Sequence, residues 1–270
     1  MFAKYIVILS LSIGLYNISN AAVLRDLPYY QLLGEKDDEK RDEVCQLDLA
    51  YPDDQENFKT IVWLHAGGLK RGNRYLPGEL RKAGFAVVAV DYRKYPEAKC
   101  PDFIEDAAAA TAWTIKNIKR YGGDPNKVII AGASAGAYLS LMVGLDKQWL
   151  RKWGINANQL LGIGSLTAQV ITHVAVREES KTNRMTPVID QWAPLRHVRK
   201  DAPPLLLVTG DRELELLGRY EENAYFHRML GLVGHSQNEL HEIKGADHGA
   251  VEKPGHQFLI TFAENLTLAE

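Results

Sequence analysis

Four short runs of apolar residues show no polar alternation: "TIVWLH" (60–65), "GFAVVAVDY" (84–92), "NKVIIAG" (126–132) and "PPLLLVTG" (203–210). A strand with one face in water alternates, whereas a strand covered on both faces does not. These runs therefore constrain the chain to a parallel sheet sandwiched between helices. Helical stretches lie between them. In "PDFIEDAAAATAWTIKNIKRYGG" (101–123), Phe103, Ala107, Thr111, Ile115 and Ile118 recur at helical spacing. Pro101 and the acids after it suit a first turn, Lys119 and Arg120 a last one, and Gly122-Gly123 a stop. "QLDLAYP" (46–52) alternates as a strand near an edge would, "NELHEIKG" (238–245) reads as a last strand, and "HQFLITFAENLTLAE" as a closing helix. Strands alternating with helices mean an α/β fold.

The segment 165–200 breaks that rhythm. Its middle, "VREESKTNR" (176–184), is charged and lacks a strand or helix signal. We read it as a cap or rim inserted at the C-terminal edge of the sheet, where such folds bind ligands. Its apolar parts, "VITHVAV" and Trp192 to Leu195, are short, which suits a pocket rim more than a lid over lipid. His173 and Trp192 are the expected substrate-side contacts.

The first residues read as a secretory leader. Lys4 precedes an apolar stretch from Ile6 to Tyr16, and Ser19 and Ala21 occupy the −3 and −1 places of a cleavage after Ala21. The apolar run is shorter than the roughly 20 residues of a spanning helix. The expectation is a leader (1–21), one catalytic domain (22–270), a secreted or periplasmic location, and no stable membrane insertion. A net charge of −2 with both signs interspersed argues against nucleic acid as a partner. The oligomeric state is open.

Between the run at 126–132 and the next helical stretch stands Gly132-Ala133-Ser134-Ala135-Gly136. Strand, sharp turn and helix would expose the Ser134 hydroxyl at the strand end, with small neighbours letting strand and helix approach. The N–H of Ala135, at the helix start, becomes an oxyanion donor. The run at 60–65 ends in His65-Ala66-Gly67-Gly68, and glycines let backbone N–H groups face a ligand without side chains in the way. Gly67 and Gly68 are the further donors. A serine needs a base, normally a histidine oriented by an acid. His248, in a Gly-Ala-Asp-His-Gly loop after the last strand, is the expected base, with His256 as the fallback. Asp211, Glu213 and Glu215 compete for the acid in the loop after the run at 203–210.

Together these pieces resemble the α/β-hydrolases, in the esterase/lipase branch similar to hormone-sensitive lipase and bacterial carboxylesterases. "HAGG", "DYRKYPE", "EDAAAATAW", "YGGDPNKVIIAGASAG" and "GADHG" carry the resemblance between about residues 60 and 250. It implies an eight-stranded, mostly parallel sheet flanked by helices, with an antiparallel second strand. It also implies a serine hydrolase of carboxylic esters acting through Ser134, His248 and an acid, with no metal or organic cofactor. The family's Gly-x-x-Asp spacing places the acid at Glu213, with Asp211 as the alternative. Ala66 stands where the family has glycine. The family's strand order makes the strands near Cys45 and Cys100 neighbours, which implies a disulfide between them. An aryl formamide or other activated-amide hydrolase would carry the same motifs. A catalytically inactive binding protein of the same fold is the third reading.

Overall fold

The computed structural model describes residues 21–216 and 218–268, so residues 1–20 of the expected leader lie outside the described residues. Eight strands form one sheet: β1 Ala21–Pro28, β2 Gln46–Pro52, β3 Phe58–Leu64, β4 Ala86–Val90, β5 Gly123–Ala133, β6 Gly162–Leu166, β7 Leu205–Gly210 and β8 Asn238–Ile243. Their order is β1-β2-β4-β3-β5-β6-β7-β8. β2 runs antiparallel to both its neighbours, and all pairs from β4 to β8 are parallel. The eight-stranded sheet with an antiparallel second strand is thus as expected.

The helices are α1 Tyr29–Leu32, α2 Glu39–Val44, α3 Gly78–Lys82, α4 Asp102–Asn117, α5 Ala135–Leu145, α6 Gln148–Arg151, α7 Val174–Glu179, α8 Arg219–Leu232 and α9 Glu252–Asn265. The central strands explain the unbroken apolar runs. On β3, Val62 and Leu64 join the core under α4, α5 and α8, whereas Ile61 and Trp63 join the core under α3 and α9. Each of the four is fully buried. Burying such a side chain contributes about 1.5–3 kcal/mol, so both faces of the strand must be apolar.

Two elements differ from the sequence expectation. β6, "GIGSL", carries no apolar run, because two glycines make room for neighbours. A Cβ on Gly164 would come within 2.6 Å of Leu259, and one on Gly162 within 2.6 Å of Leu266. The charged stretch after it is partly helical: α7 covers Val174–Glu179, and the His173 ring caps it by accepting from the Ala175 N–H at 3.1 Å. Arg177 of α7 is buried and donates from Nη1 to the carbonyls of Arg184 and Thr186, at 2.7 and 2.5 Å. One buried charge thus folds the loop back onto its helix.

Cys45 and Cys100 are free thiols, which corrects the disulfide expected from the strand order. β2 and β4 are indeed neighbours, but Cys45 is buried close to Tyr29 and Asp106, and Cys100 faces Glu179, Asp190 and Asp102. Burial, with carboxylates nearby, pushes both thiols well above their ordinary range.

Candidate active site

β5 runs into α5 through Ser134, which has φ 51° and ψ −110°. A non-glycine residue there is strained, and the strain holds its side chain clear of the sheet edge. The turn needs its glycines. A Cβ on Gly136 would lie 2.0 Å from the Leu64 carbonyl oxygen, and one on Gly132 would lie 2.5 Å from the Gly136 carbonyl carbon. β3 therefore presses against the turn from one side and α5 from the other.

His248 follows β8 in a loop and places Nε2 at 2.9 Å from Ser134 Oγ. Its Nδ1 lies 2.6 Å from Oε1 of Glu215. With a carboxylate on Nδ1, the proton belongs on that nitrogen, which leaves Nε2 free to accept from the serine. Glu215 is held on every side. Its Oε2 accepts from the Thr167 hydroxyl at 2.6 Å and the Gly210 N–H at 3.2 Å, and Oε1 accepts from the Leu216 N–H at 2.8 Å. Burial alone would raise its pKa. The bonds from His248, Thr167 and Leu216 outweigh burial and bring the carboxyl down to about 2. Thr167 Oγ1 also lies 3.1 Å from His248 Nδ1, so one hydroxyl touches both acid and base. Thr167 has φ 56°, unusual for a β-branched residue, and its N–H is tied to the Val208 carbonyl at 2.7 Å.

Beyond β3 the chain turns through Gly67 and Gly68, at φ 134° and 65°. A Cβ on Gly67 would fall 1.9 Å from the Arg71 carbonyl oxygen, so only glycine fits. Neither glycine N–H has a partner among the described residues. The loop is braced from behind: His65 stacks on Tyr92 with ring centroids 4.4 Å apart, and the Tyr92 hydroxyl donates to the His65 carbonyl at 2.8 Å. Ala66 packs against the core under α3 and α9, which accommodates its methyl group. Gly67, Gly68, Ser134, Thr167 and His248 line one cleft of about 610 Å³, with His173, Val174 and Glu178 of the insertion on its rim.

Among family models, BD-FAE matches residues 47–161. Esterase LipC of Mycobacterium tuberculosis (strain ATCC 25618 / H37Rv) is 28% identical over 212 residues, which span 70% of this chain and 52% of that protein. Of solved structures, a truncated carbohydrate esterase from gut microbiota aligns with a TM-score of 0.74 and 18% identity, covering 90% of this chain and 95% of that one. An esterase from Thermogutta terrifontis aligns with a TM-score of 0.63 and 22% identity, covering 81% and 86%. The chain has the α/β-hydrolase fold of these structures and resembles esterases in sequence. It spans about half or less of the length of the curated relatives it matches.

The residue beside His248 is Glu215, which corrects the assignment of the acid to Glu213. The cause is a turn that closes on Asp211. The Leu214 and Glu215 N–H groups both donate to the Asp211 carbonyl at 2.8 Å, so the chain doubles back and Glu215 returns over Gly210 at the end of β7. Glu213, at the apex, is exposed. Asp211 is a loop brace: its carboxylate accepts from the Glu213 N–H at 3.0 Å and the Gly245 N–H at 2.9 Å, joining the acid loop to the histidine loop. Glycine at 210 suits this closure, because a Cβ there would stand 2.6 Å from the Ala246 carbonyl oxygen and 3.0 Å from the Glu215 carboxylate. His256 is buried in α9 against the edge of Trp63, with centroids 4.9 Å apart, and does not line the cleft. His173 does line it, and burial, with Arg219 and Arg177 nearby, pushes its pKa down to about 3, so the ring is neutral. Trp192 instead packs beside Trp149 at 6.2 Å, and its carbonyl accepts from the Tyr138 hydroxyl at 2.7 Å.

Proposed function

We propose that this chain is an exported serine carboxylesterase that cleaves short-chain acyl esters through Ser134, His248 and Glu215. The observation that carries the reading is the unbroken hydrogen-bonded line from Ser134 Oγ through the His248 ring to Glu215. Nε2 accepts the serine proton as Oγ attacks the acyl carbon. Glu215 holds the ring in the working tautomer and stabilises the imidazolium that forms. The N–H groups of Ala135, Gly67 and Gly68 stabilise the oxyanion. His248 then returns the proton to the leaving alcohol, and water cleaves the acyl-enzyme by the same steps in reverse. Carboxylesterases and carbohydrate esterases among the similar proteins support ester chemistry at this site.

A short acyl group follows from the walls of the cleft. Their apolar members are small or few, namely Ala66, Ala133, Val174 and Leu216. A long alkyl chain would lie against charged side chains, at a desolvation cost. Export rests on the leader-like residues at the start of the sequence. The test is a chain-length series of 4-nitrophenyl esters with wild type and Ser134→Ala. The expected result is a maximum at the short end, and a loss of about 10⁴- to 10⁶-fold in kcat for the variant. Undiminished turnover by Ser134→Ala would remove the serine from the mechanism.

A further inference from the structure

The cleft holding Ser134 carries more positive charge than a chain of net charge −2 leads one to expect. Lys70, Arg71, Arg184 and Arg219 line it, against Glu178 and Glu252. The two acids are engaged: Glu178 pairs with Lys70, and Glu252 accepts from the Tyr75 hydroxyl. Arg219 is buried in the wall, where it donates to the Thr167 carbonyl at 2.5 Å with Glu222 and Glu215 nearby. Arg71 and Arg184 remain. Both are exposed, and neither guanidinium has a partner among the described residues.

Their positions are built. Arg71 ends the turn that forms the glycine loop, with its N–H on the Gly67 carbonyl at 3.1 Å. Arg184 is delivered by the insertion, its carbonyl clamped by buried Arg177 at 2.7 Å. The Lys70–Glu178 pair ties the glycine loop to α7, so the two free cations are carried by segments that are joined to each other. Arg184 and Arg219 also line the neighbouring cleft of about 600 Å³, beside Met185, Pro187 and Leu216. Space thus continues beyond the serine, with Glu221 and Glu222 offsetting the arginines of that second cleft.

We propose that the natural ester carries a carboxylate remote from the scissile bond, bound between Arg71 and Arg184 at the rim of the cleft. This rests on the carboxylesterase reading above and names its substrate class. A guanidinium offers a planar fork that matches a carboxylate, and an unpaired one has no internal partner to surrender on binding. The carboxylate can belong to the alcohol or to the acyl part, and two matched pairs separate these sources.

The test compares 3-acetoxybenzoate with its methyl ester for the alcohol side, and monophenyl adipate with phenyl hexanoate for the acyl side. The full chain is assayed at about 10 mM and about 0.5 M salt, where the Debye length falls from about 30 Å to a few ångströms. In one pair the anionic member is preferred by about 5- to 20-fold in kcat/KM at low salt, mainly through KM, the scale of one charge-assisted hydrogen bond. The preference collapses at high salt, and in Arg71→Gln/Arg184→Gln the anionic-to-neutral ratio falls towards 1. If the double variant is too poorly folded to assay, the salt series on wild type decides. Neutral members cleaved equally well or better in both pairs at low salt overturn the proposal while leaving the carboxylesterase reading intact. A preference that survives both salt and the double substitution also overturns it. Failure to cleave any of the four esters instead removes the carboxylesterase reading.

Discussion

Glu215 and Glu213 are two residues apart and chemically identical, yet one is buried against His248 and the other is in water. Substituting each by its amide separates them. Glu215→Gln lowers kcat by about 10⁴-fold, because an amide favours the wrong imidazole tautomer, whereas Glu213→Gln stays within about twofold. Steady-state kinetics on a soluble short-chain ester checks both. A crippled Glu213→Gln beside a normal Glu215→Gln would reverse the assignment. The same carboxyl also sets a pH dependence of stability. Its folded pKa of about 2 lies below the ordinary value of 4.5, so its contribution is present above the ordinary value and fades as pH falls from 4.5 through 2. The Tm gap between wild type and Glu215→Gln is therefore at its full width from about pH 6 upward and narrows below about pH 4.5. A gap independent of pH down to about 2 would mean the carboxyl is not held in its ionised form.

The strand–turn–helix unit of β5 and α5 works because three backbones meet there without side chains. Gly136→Ala places a methyl group 2.0 Å from the Leu64 carbonyl oxygen, backbone that belongs to the central strand and cannot give way cheaply. Overpacking of this kind costs about 1–3 kcal/mol or more. It also displaces Ser134, so activity falls further than stability. The expected outcome is a drop of several degrees in Tm together with a loss of at least about 100-fold in kcat/KM, since misplacement by about 1 Å alone costs that much. Gly68→Ala is the contrast within the glycine loop after β3. A Cβ there meets nothing within 4 Å, but φ of 65° is unfavourable for alanine. The penalty there is conformational and smaller. Helix α7 shows the same logic with charge in place of space: its first turn is capped by a neutral His173, and its buried Arg177 shapes the loop that follows.

Across the whole molecule, two separate covers shield the sheet, and Ser134, His248 and Glu215 gather at the edge where its parallel strands end. The thiols belong to this scale because strand order made them plausible partners. Denatured, unreduced protein should titrate two free thiols, and in the native state Cys45, fully buried, should react far more slowly than Cys100. Absence of free thiols would mean that the oxidised protein pairs them after all. Cleavage after Ala21, proposed from the leader-like start, is checked by N-terminal sequencing of protein recovered from the medium or periplasm, which should begin at Ala22.

The sequence alone determined the fold class, because a parallel strand covered on both faces must be apolar throughout and a helix repeats at its own period; both patterns are local. It also located Ser134 and Gly67, since the close backbone approach around them admits only glycine, Gly68, since its positive φ favours glycine, and His248, since the loop after the last strand ends at the same sheet edge. β6 escaped because its glycines serve neighbours distant in the chain, Leu259 and Leu266. The acid escaped for a related reason. Asp211, Glu213 and Glu215 differ only in where one turn points them, and that turn is set by the Asp211 carbonyl and by bonds to Thr167, Gly210 and His248 from other strands and loops. Tertiary structure decided which carboxylate meets the histidine, because burial and hydrogen bonding of a side chain depend on what the rest of the chain brings to it.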